Sequence, residues 1–212
     1  MRGRLSTLAT LLLALAAGAL LWRATAMLPL HFSLDPNEGW NAHFAAAAMG
    51  AGPLYPAGGY AVNNYPPLSF YLVGALGNLC GDAVFAGRLV SLTAFFFVLW
   101  GIFAAAVRLG CTRSEGAFAA LLFALGMLSF TDYVAMNDPQ MLAHALATGG
   151  FLILLKAPRT GRRIGAAALL FVLAFFVKHN VAVMAAAMLL WLFFADRKAA
   201  LRLAGVRCQD GQ

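Results

Sequence analysis

The sequence predicts an all-α protein, a polytopic bundle of membrane helices. Of its 212 residues 62% are hydrophobic and 11% charged, against about 25% charged in ordinary globular chains, so one soluble core cannot hide the apolar side chains. Those side chains fall in long runs parted by short polar interruptions. The cations are also unevenly placed. No Lys or Arg occurs between Arg23 and Arg88, although Asp35, Glu38 and Asp82 lie there, whereas basic clusters stand at Arg108/Arg113, Lys156/Arg159/Arg162/Arg163 and Arg197/Lys198/Arg202/Arg207. Under the positive-inside rule residues 31–82 are extracytoplasmic and the clusters cytoplasmic. The net charge of +7 is then an orientation signal, not a nucleic-acid footprint, because no basic stripe is interleaved with aromatics.

The first run, residues 5–28, crosses outward. Its basic start and the Ala24-Thr25-Ala26 triplet also fit a signal peptide, but the run is long enough to span and Arg23 sits oddly before a cleavage motif, so an uncleaved anchor is expected. Asp35-Pro36-Asn37-Glu38 is an aspartate version of the capping box. Asp35 should accept from the N3 amide, Pro36 needs no amide partner at N1, and Glu38 reaches back, opening a short helix to about Ala48. Capping by itself explains these residues; a functional role would use the same geometry.

Residues 50–67 are rich in Gly, Pro and Asn and form an outer loop. The apolar residues 67–79 must fail to cross, since a crossing would put Arg108 and Arg113 outside, and apolar runs of about 10 to 14 residues are more often interfacial or re-entrant. Five further runs follow, at residues 85–107, 116–133, 139–155, 164–177 and 181–194. With the first they predict six crossings and both termini in the cytoplasm, the last pair being short for full spans. Residues 1–198 form the membrane domain and 199–212 a short polar tail.

Polar groups interrupt the later runs twice. Asn137-Asp138-Pro139-Gln140 repeats the Asp-Pro helix opening, with Asp132 nearby, and Gln140 and His144 are i, i+4 partners pointing into the bundle. Lys178-His179-Asn180 breaks an apolar run; snorkelling explains Lys178 as a structural residue, but an ionisable group in a membrane segment is a functional hypothesis by default. By charge parity Asp35, Glu38 and Asp138 then share the outer face with Arg88 and Lys178, an arrangement suited to a lipid-linked anionic substrate. Cys80, Cys111 and Cys208 make neither a disulfide framework nor a metal motif.

The order of Asp35 and Glu38, then Asn63-Asn64-Tyr65-Pro66-Pro67-Leu68-Ser69-Phe70-Tyr71, Gly87-Arg88-Leu89, Asp138-Pro139 and Val177-Lys178-His179 resembles the glycosyltransferase-C superfamily. Its nearest likeness is the branch of dolichyl-phosphate-mannose protein mannosyltransferases and bacterial aminoarabinose transferases. The resemblance covers residues 5–194 and the N-terminal part of such an enzyme, so a truncated family chain is expected. It implies a protein of the bacterial inner membrane that transfers a sugar from a polyprenyl-phosphate donor to an acceptor hydroxyl on the extracytoplasmic face, with inversion. Glu38 or Asp35 would be the general base, Asp138 a second or positioning acid, and Lys178 and Arg88 the phosphate contacts, with His179, Asn64 and Tyr65 also at the substrate.

Two positions depart from the family pattern. Asn37 stands where Asp usually precedes Glu, and Tyr65 stands where relatives often place Glu or His. Tyrosine is a poor ligand for a divalent metal, so the cofactor is left unassigned. Beyond donor and membrane lipid no partner follows, and oligomeric state is open. The competing class is a non-enzymatic helical membrane protein or transporter-like remnant whose polar groups only cap helices; the internal repeat typical of transporters is not found. An enzyme should gather its acids at one outer cavity.

Overall fold

Each apolar run folds as a helix in the computed structural model, which describes residues 2–58, 60, 62–130 and 133–205. Asp132 and Cys208 lie outside the described residues. Those residues hold no strand and the helices α1 (Arg2–Ala26), α2 (Pro36–Ala46), α3 (Leu68–Cys80), α4 (Ala83–Arg108), α5 (Arg113–Phe130), α6 (Gln140–Leu155), α7 (Gly161–Val177), α8 (Ala182–Ala195) and α9 (Arg197–Leu203). A π-helical turn, Ala47–Ala51, extends α2, and a 3-10 turn, His179–Val181, joins α7 to α8.

The helices pack as a row in which α1 lies on α5, α5 on α4, α4 on α6 and α6 on α7, with α8 and α9 closing the far side. Small residues let the backbones approach: Ala143 and Ala147 of α6 and Ala167 and Ala174 of α7 are buried together, and Phe171, Leu154 and Leu192 fill the space between them. A second core joins α1, α4, α5 and α6 through Ala17, Phe95, Val98, Ala124 and Met141. The α2 and α3 helices pack on each other and on the start of α4. Phe44 and Phe70 meet there with ring centroids 5.8 Å apart, and Trp40 packs edge-on to Phe44 at 5.2 Å.

Three expectations change. The capping box is displaced by one position at each partner, as Asp35 accepts from the Asn37 amide at 2.7 Å and Glu38 from the Leu34 amide at 2.9 Å. The Glu38 carboxylate is drawn toward Arg88 and meets the chain one residue early. The segment expected as a polar tail from residue 199 begins instead inside α9, capped by Asp196 and held by Ala199 and Ala200, which are buried against the α7 core.

Helix length also supports fewer spans than charge parity does. Thr7–Ala26 and Ala83–Arg108 are by themselves long and apolar enough to cross a bilayer. The α6, α7 and α8 helices have 16, 17 and 14 residues. At about 1.5 Å per residue they cover roughly 21 to 26 Å of a ~30 Å hydrocarbon core, so length alone does not establish six crossings.

Candidate active site

The short helix α2 presents Glu38, Asn41, Phe44 and Ala45 on its buried face, an i, i+3, i+6, i+7 stripe. This stripe meets α4 at Arg88, which is fully buried. The pair is bidentate: Arg88 Nε donates to Glu38 Oε1 at 2.8 Å and Nη2 to Oε2 at 2.7 Å. The remaining guanidinium hydrogens serve the loop between α1 and α2, with Nη1 donating to the carbonyls of Met27 and Leu30 at 2.8 Å and Nη2 to that of Phe32 at 3.0 Å. A guanidinium carries five N–H donors, and this network engages all of them.

Glu38 is engaged just as completely. Besides Arg88, its Oε2 accepts from the Leu34 amide and its Oε1 from the Asn137 amide at 3.0 Å. Burial pushes its pKa up, but Arg88 and the two amides outweigh this and hold the carboxyl below its ordinary value. The turn before α6 is thereby fastened to α2, with Asn137 Nδ2 donating to the Glu38 carbonyl at 3.2 Å and Asn41 Nδ2 to the Asn137 carbonyl at 2.7 Å. Gly87 permits the approach, because a Cβ there would overlap the Asn137 side chain. In the same turn Ala135 takes a φ of 57°, a left-handed conformation that non-glycine residues adopt only when their surroundings enforce it.

Asp138, the next residue, belongs to a second cluster. Lys178 Nζ donates to its Oδ1 at 2.8 Å, and the Gln140 amide donates to the same oxygen at 2.7 Å. The ammonium lies 4.7 Å from the Tyr65 ring centroid and 5.5 Å from that of Tyr133, a half-cage of aromatic faces around a buried cation. Asn64 and His179, the chain neighbours of Tyr65 and Lys178, are exposed. Beneath them Gln140 Nε2 and His144 Nε2 approach to 2.6 Å, so the expected i, i+4 pair does meet, and Asn180 Nδ2 donates to Gln140 Oε1 at 3.2 Å.

Asp35, unlike Glu38, keeps an oxygen uncommitted. Its Oδ1 caps α2, and among the described residues nothing donates to its Oδ2. It lines a cavity of about 300 Å³, at the lower end of ligand-pocket sizes, whose apolar wall comes from Leu20 and Ala24 of α1, Met27 just after it and Leu128 of α5. Arg23 stands on the same wall, and among the described residues no carboxylate pairs with it.

The predicted site residues are thus divided. Asp35 and Glu38 share the cavity, Arg88 lies behind Glu38, and Asp138, Lys178 and Tyr65 form the neighbouring cluster, joined to the first by the Asn137–Asp138 backbone. Asn64 and His179 do not line the Asp35 cavity. Arg23 and Tyr133 had not been singled out as site residues. For Arg23 the signal was a cation at the outer end of the first apolar run, directly before a long stretch without Lys or Arg. Nor does the donor set build a divalent cage: the described residues bring no three His, Cys, Asp or Glu side chains together, and both Glu38 oxygens are already occupied by N–H donors.

Residues 64–206, which include Arg88, Asp138 and Lys178 but neither Asp35 nor Glu38, match the family model for dolichyl-phosphate-mannose-protein mannosyltransferase. That match covers more than half of the chain. The chain belongs to this mannosyltransferase family. No curated protein and no solved structure matches it. Membership makes the protein an integral membrane glycosyltransferase of mannosyltransferase type, in keeping with its two apolar helices of spanning length, and places it among enzymes that draw on lipid-linked sugar donors.

Proposed function

We propose that this mannosyltransferase-family protein transfers a sugar from a polyprenyl-phosphate donor to an acceptor hydroxyl, on the extracytoplasmic face of a bacterial inner membrane, with Asp35 as general base. The observation that carries this reading is the contrast between the two carboxylates. Glu38 accepts from four donors and has no lone pair left for a proton, whereas Asp35 faces the cavity with an oxygen available.

In the reaction, the acceptor oxygen attacks the anomeric carbon as its proton passes to Asp35. The bond from that carbon to the phosphate oxygen breaks on the opposite side, and the polyprenyl phosphate departs with the electron pair. Its growing negative charge needs a cation that is not already neutralised. Arg88 and Lys178 each face a carboxylate at hydrogen-bond distance, while Arg23 stands on the cavity wall beside apolar α1 residues that suit the lipid. Arg88 and Glu38 then position the base, and Asp138 with Lys178 holds the adjoining turn, with Tyr65 against the Lys178 ammonium. Six crossings, with residues 31–82 outside, follow from the placement of basic residues.

The experiment is transfer from a polyprenyl-phosphate sugar in membranes, run with a thermal-unfolding measurement. Asn caps a helix about as well as Asp, so Asp35→Asn should leave stability within about 0.5 kcal/mol. An amide cannot take the hydroxyl proton, and transfer should fall roughly 100-fold or more. Transfer at the parent rate in Asp35→Asn would overturn the assignment and leave Asp35 as the cap of α2 only, whereas no transfer by the parent protein would favour the non-enzymatic reading.

A further inference from the structure

The α4 and α7 helices both pack on α6 but not on each other, which leaves a gap between them. Two cavities of about 490 and 500 Å³ lie between them, and both are lined by Phe97, Gly149 and Leu170, so they form one groove. Its walls are almost wholly apolar over most of its length. At one end it is rimmed by Arg108, Lys156, Arg162 and Arg163. Arg108 Nη1 donates to the Leu152 carbonyl and Arg163 Nη1 to that of Pro158, each at 2.9 Å, which fixes two guanidinium groups at the rim with other donors to spare. Among the described residues no carboxylate pairs with any of the four.

The dimensions select an occupant. Leu142 and Ile153 mark the ends of the groove on α6. At about 1.5 Å per residue they lie roughly 16 Å apart, close to the ~15 Å of one leaflet in a ~30 Å hydrocarbon core. An apolar channel one leaflet long, ending in four uncompensated cations, fits one acyl chain with an anionic headgroup. We infer that this groove is a binding site for an anionic phospholipid of the leaflet at the basic end, its phosphate on Lys156, Arg162 and the two anchored guanidinium groups. Basic pockets between membrane helices take anionic headgroups for the same electrostatic reason. The inference does not rest on the proposed sugar transfer, since neither Asp35 nor Arg23 lies in this groove.

Trp100 lines the groove and is half exposed, which supplies the probe. In nanodiscs of phosphatidylcholine, phosphatidylglycerol with brominated acyl chains should quench Trp100 at several-fold lower mole fraction than brominated phosphatidylcholine, the signal being the quenching lost in Trp100→Phe. In Lys156→Gln/Arg162→Gln the preference should fall by about fivefold for each charge removed. Gly149 offers a second variant that leaves all four cations in place. A Cβ there already touches Leu170 Cδ1 at 3.3 Å and the Phe97 ring at 3.8 Å, so Gly149→Phe should fill the groove and abolish the preference. Equal quenching by the two headgroups would overturn the inference, as would a preference that survives both variants, which would mean general attraction to the lipid annulus. Displacement by polyprenyl phosphate at a lower mole fraction than phosphatidylglycerol would overturn it in favour of an isoprenoid occupant.

Discussion

Glu38 and Asp35 begin the same helix three residues apart and meet different fates because only one faces Arg88. Removing one partner of a buried ion pair leaves the other charge uncompensated and costs about 3 to 5 kcal/mol, far more than loss of an exposed cap. Glu38→Gln should therefore lower thermal stability by about that amount, a loss too large for capping alone. The pH dependence follows from the same contacts. The folded-state pKa of Glu38 lies below its ordinary value of 4.5, so its stabilising contribution is complete above pH 4.5 and is lost as pH falls through the depressed folded value. Thermal melts from neutral pH into the acid range should show this loss in the parent protein and a flatter dependence in Glu38→Gln. If Glu38→Gln melted like the parent at neutral pH, the ion pair would not be the fastening that holds α2 to α4.

Between elements, closeness is set by small residues rather than by complementary charge. The turn before α6 carries Asn137 and Asp138, and both polar clusters depend on how near it comes to α4. Gly87 decides that distance, because its missing Cβ is the space the Asn137 side chain occupies. Gly87→Ala must push the turn outward, straining the Asn137 to Glu38 and Asn41 bonds, and overpacking of this kind costs about 1 to 3 kcal/mol. Denaturation in detergent would measure it, and transfer should fall with it, since the Asp35 cavity is lined by Val134, Ala135 and Met136 of the same turn. A stability unchanged by Gly87→Ala would mean that the turn yields freely. The α3 helix shows the same principle, with Gly77 lying directly against Ala83 so that α3 can fold across the beginning of α4.

For the whole molecule, the open quantity is how the row of helices sits in the bilayer. The α3 helix has 13 residues, about 20 Å at 1.5 Å per residue, and turns into α4 through Gly81 and Asp82. If α3 stays at the outer face while α4 crosses, an odd number of crossings separates residue 58 from residue 111. Cys111 is exposed and serves as a native probe. In a background with Cys80→Ser and Cys208→Ser, Gly58→Cys should react with a membrane-impermeant thiol reagent in intact cells while Cys111 stays unlabelled until the membrane is opened. Labelling of both, or of Cys111 alone, would reverse or break the orientation on which an extracytoplasmic site depends.

The helices, their order and nearly all their limits were readable from the sequence, because an apolar run broken by Asp-Pro, Gly or a basic pair has few alternatives when its backbone must hydrogen-bond within itself. So was the family, since its motifs lie in linear order from Asn64 to Lys178. The α9 helix escaped notice because two buried alanines in a basic segment leave no periodic signal. The roles within the site needed tertiary structure. Asp35 and Glu38 are equivalent as a local motif; what separates them is a guanidinium 50 residues away from Glu38 and an amide 99 residues away. Likewise Arg88 and Lys178 looked like free cations until folding set each against a carboxylate, and Arg23 looked like a flanking charge until the fold put it on the wall of the cavity that Asp35 lines. Local chemistry determines where a chain turns polar, whereas the availability of a charge for a substrate depends on which partners packing brings to it.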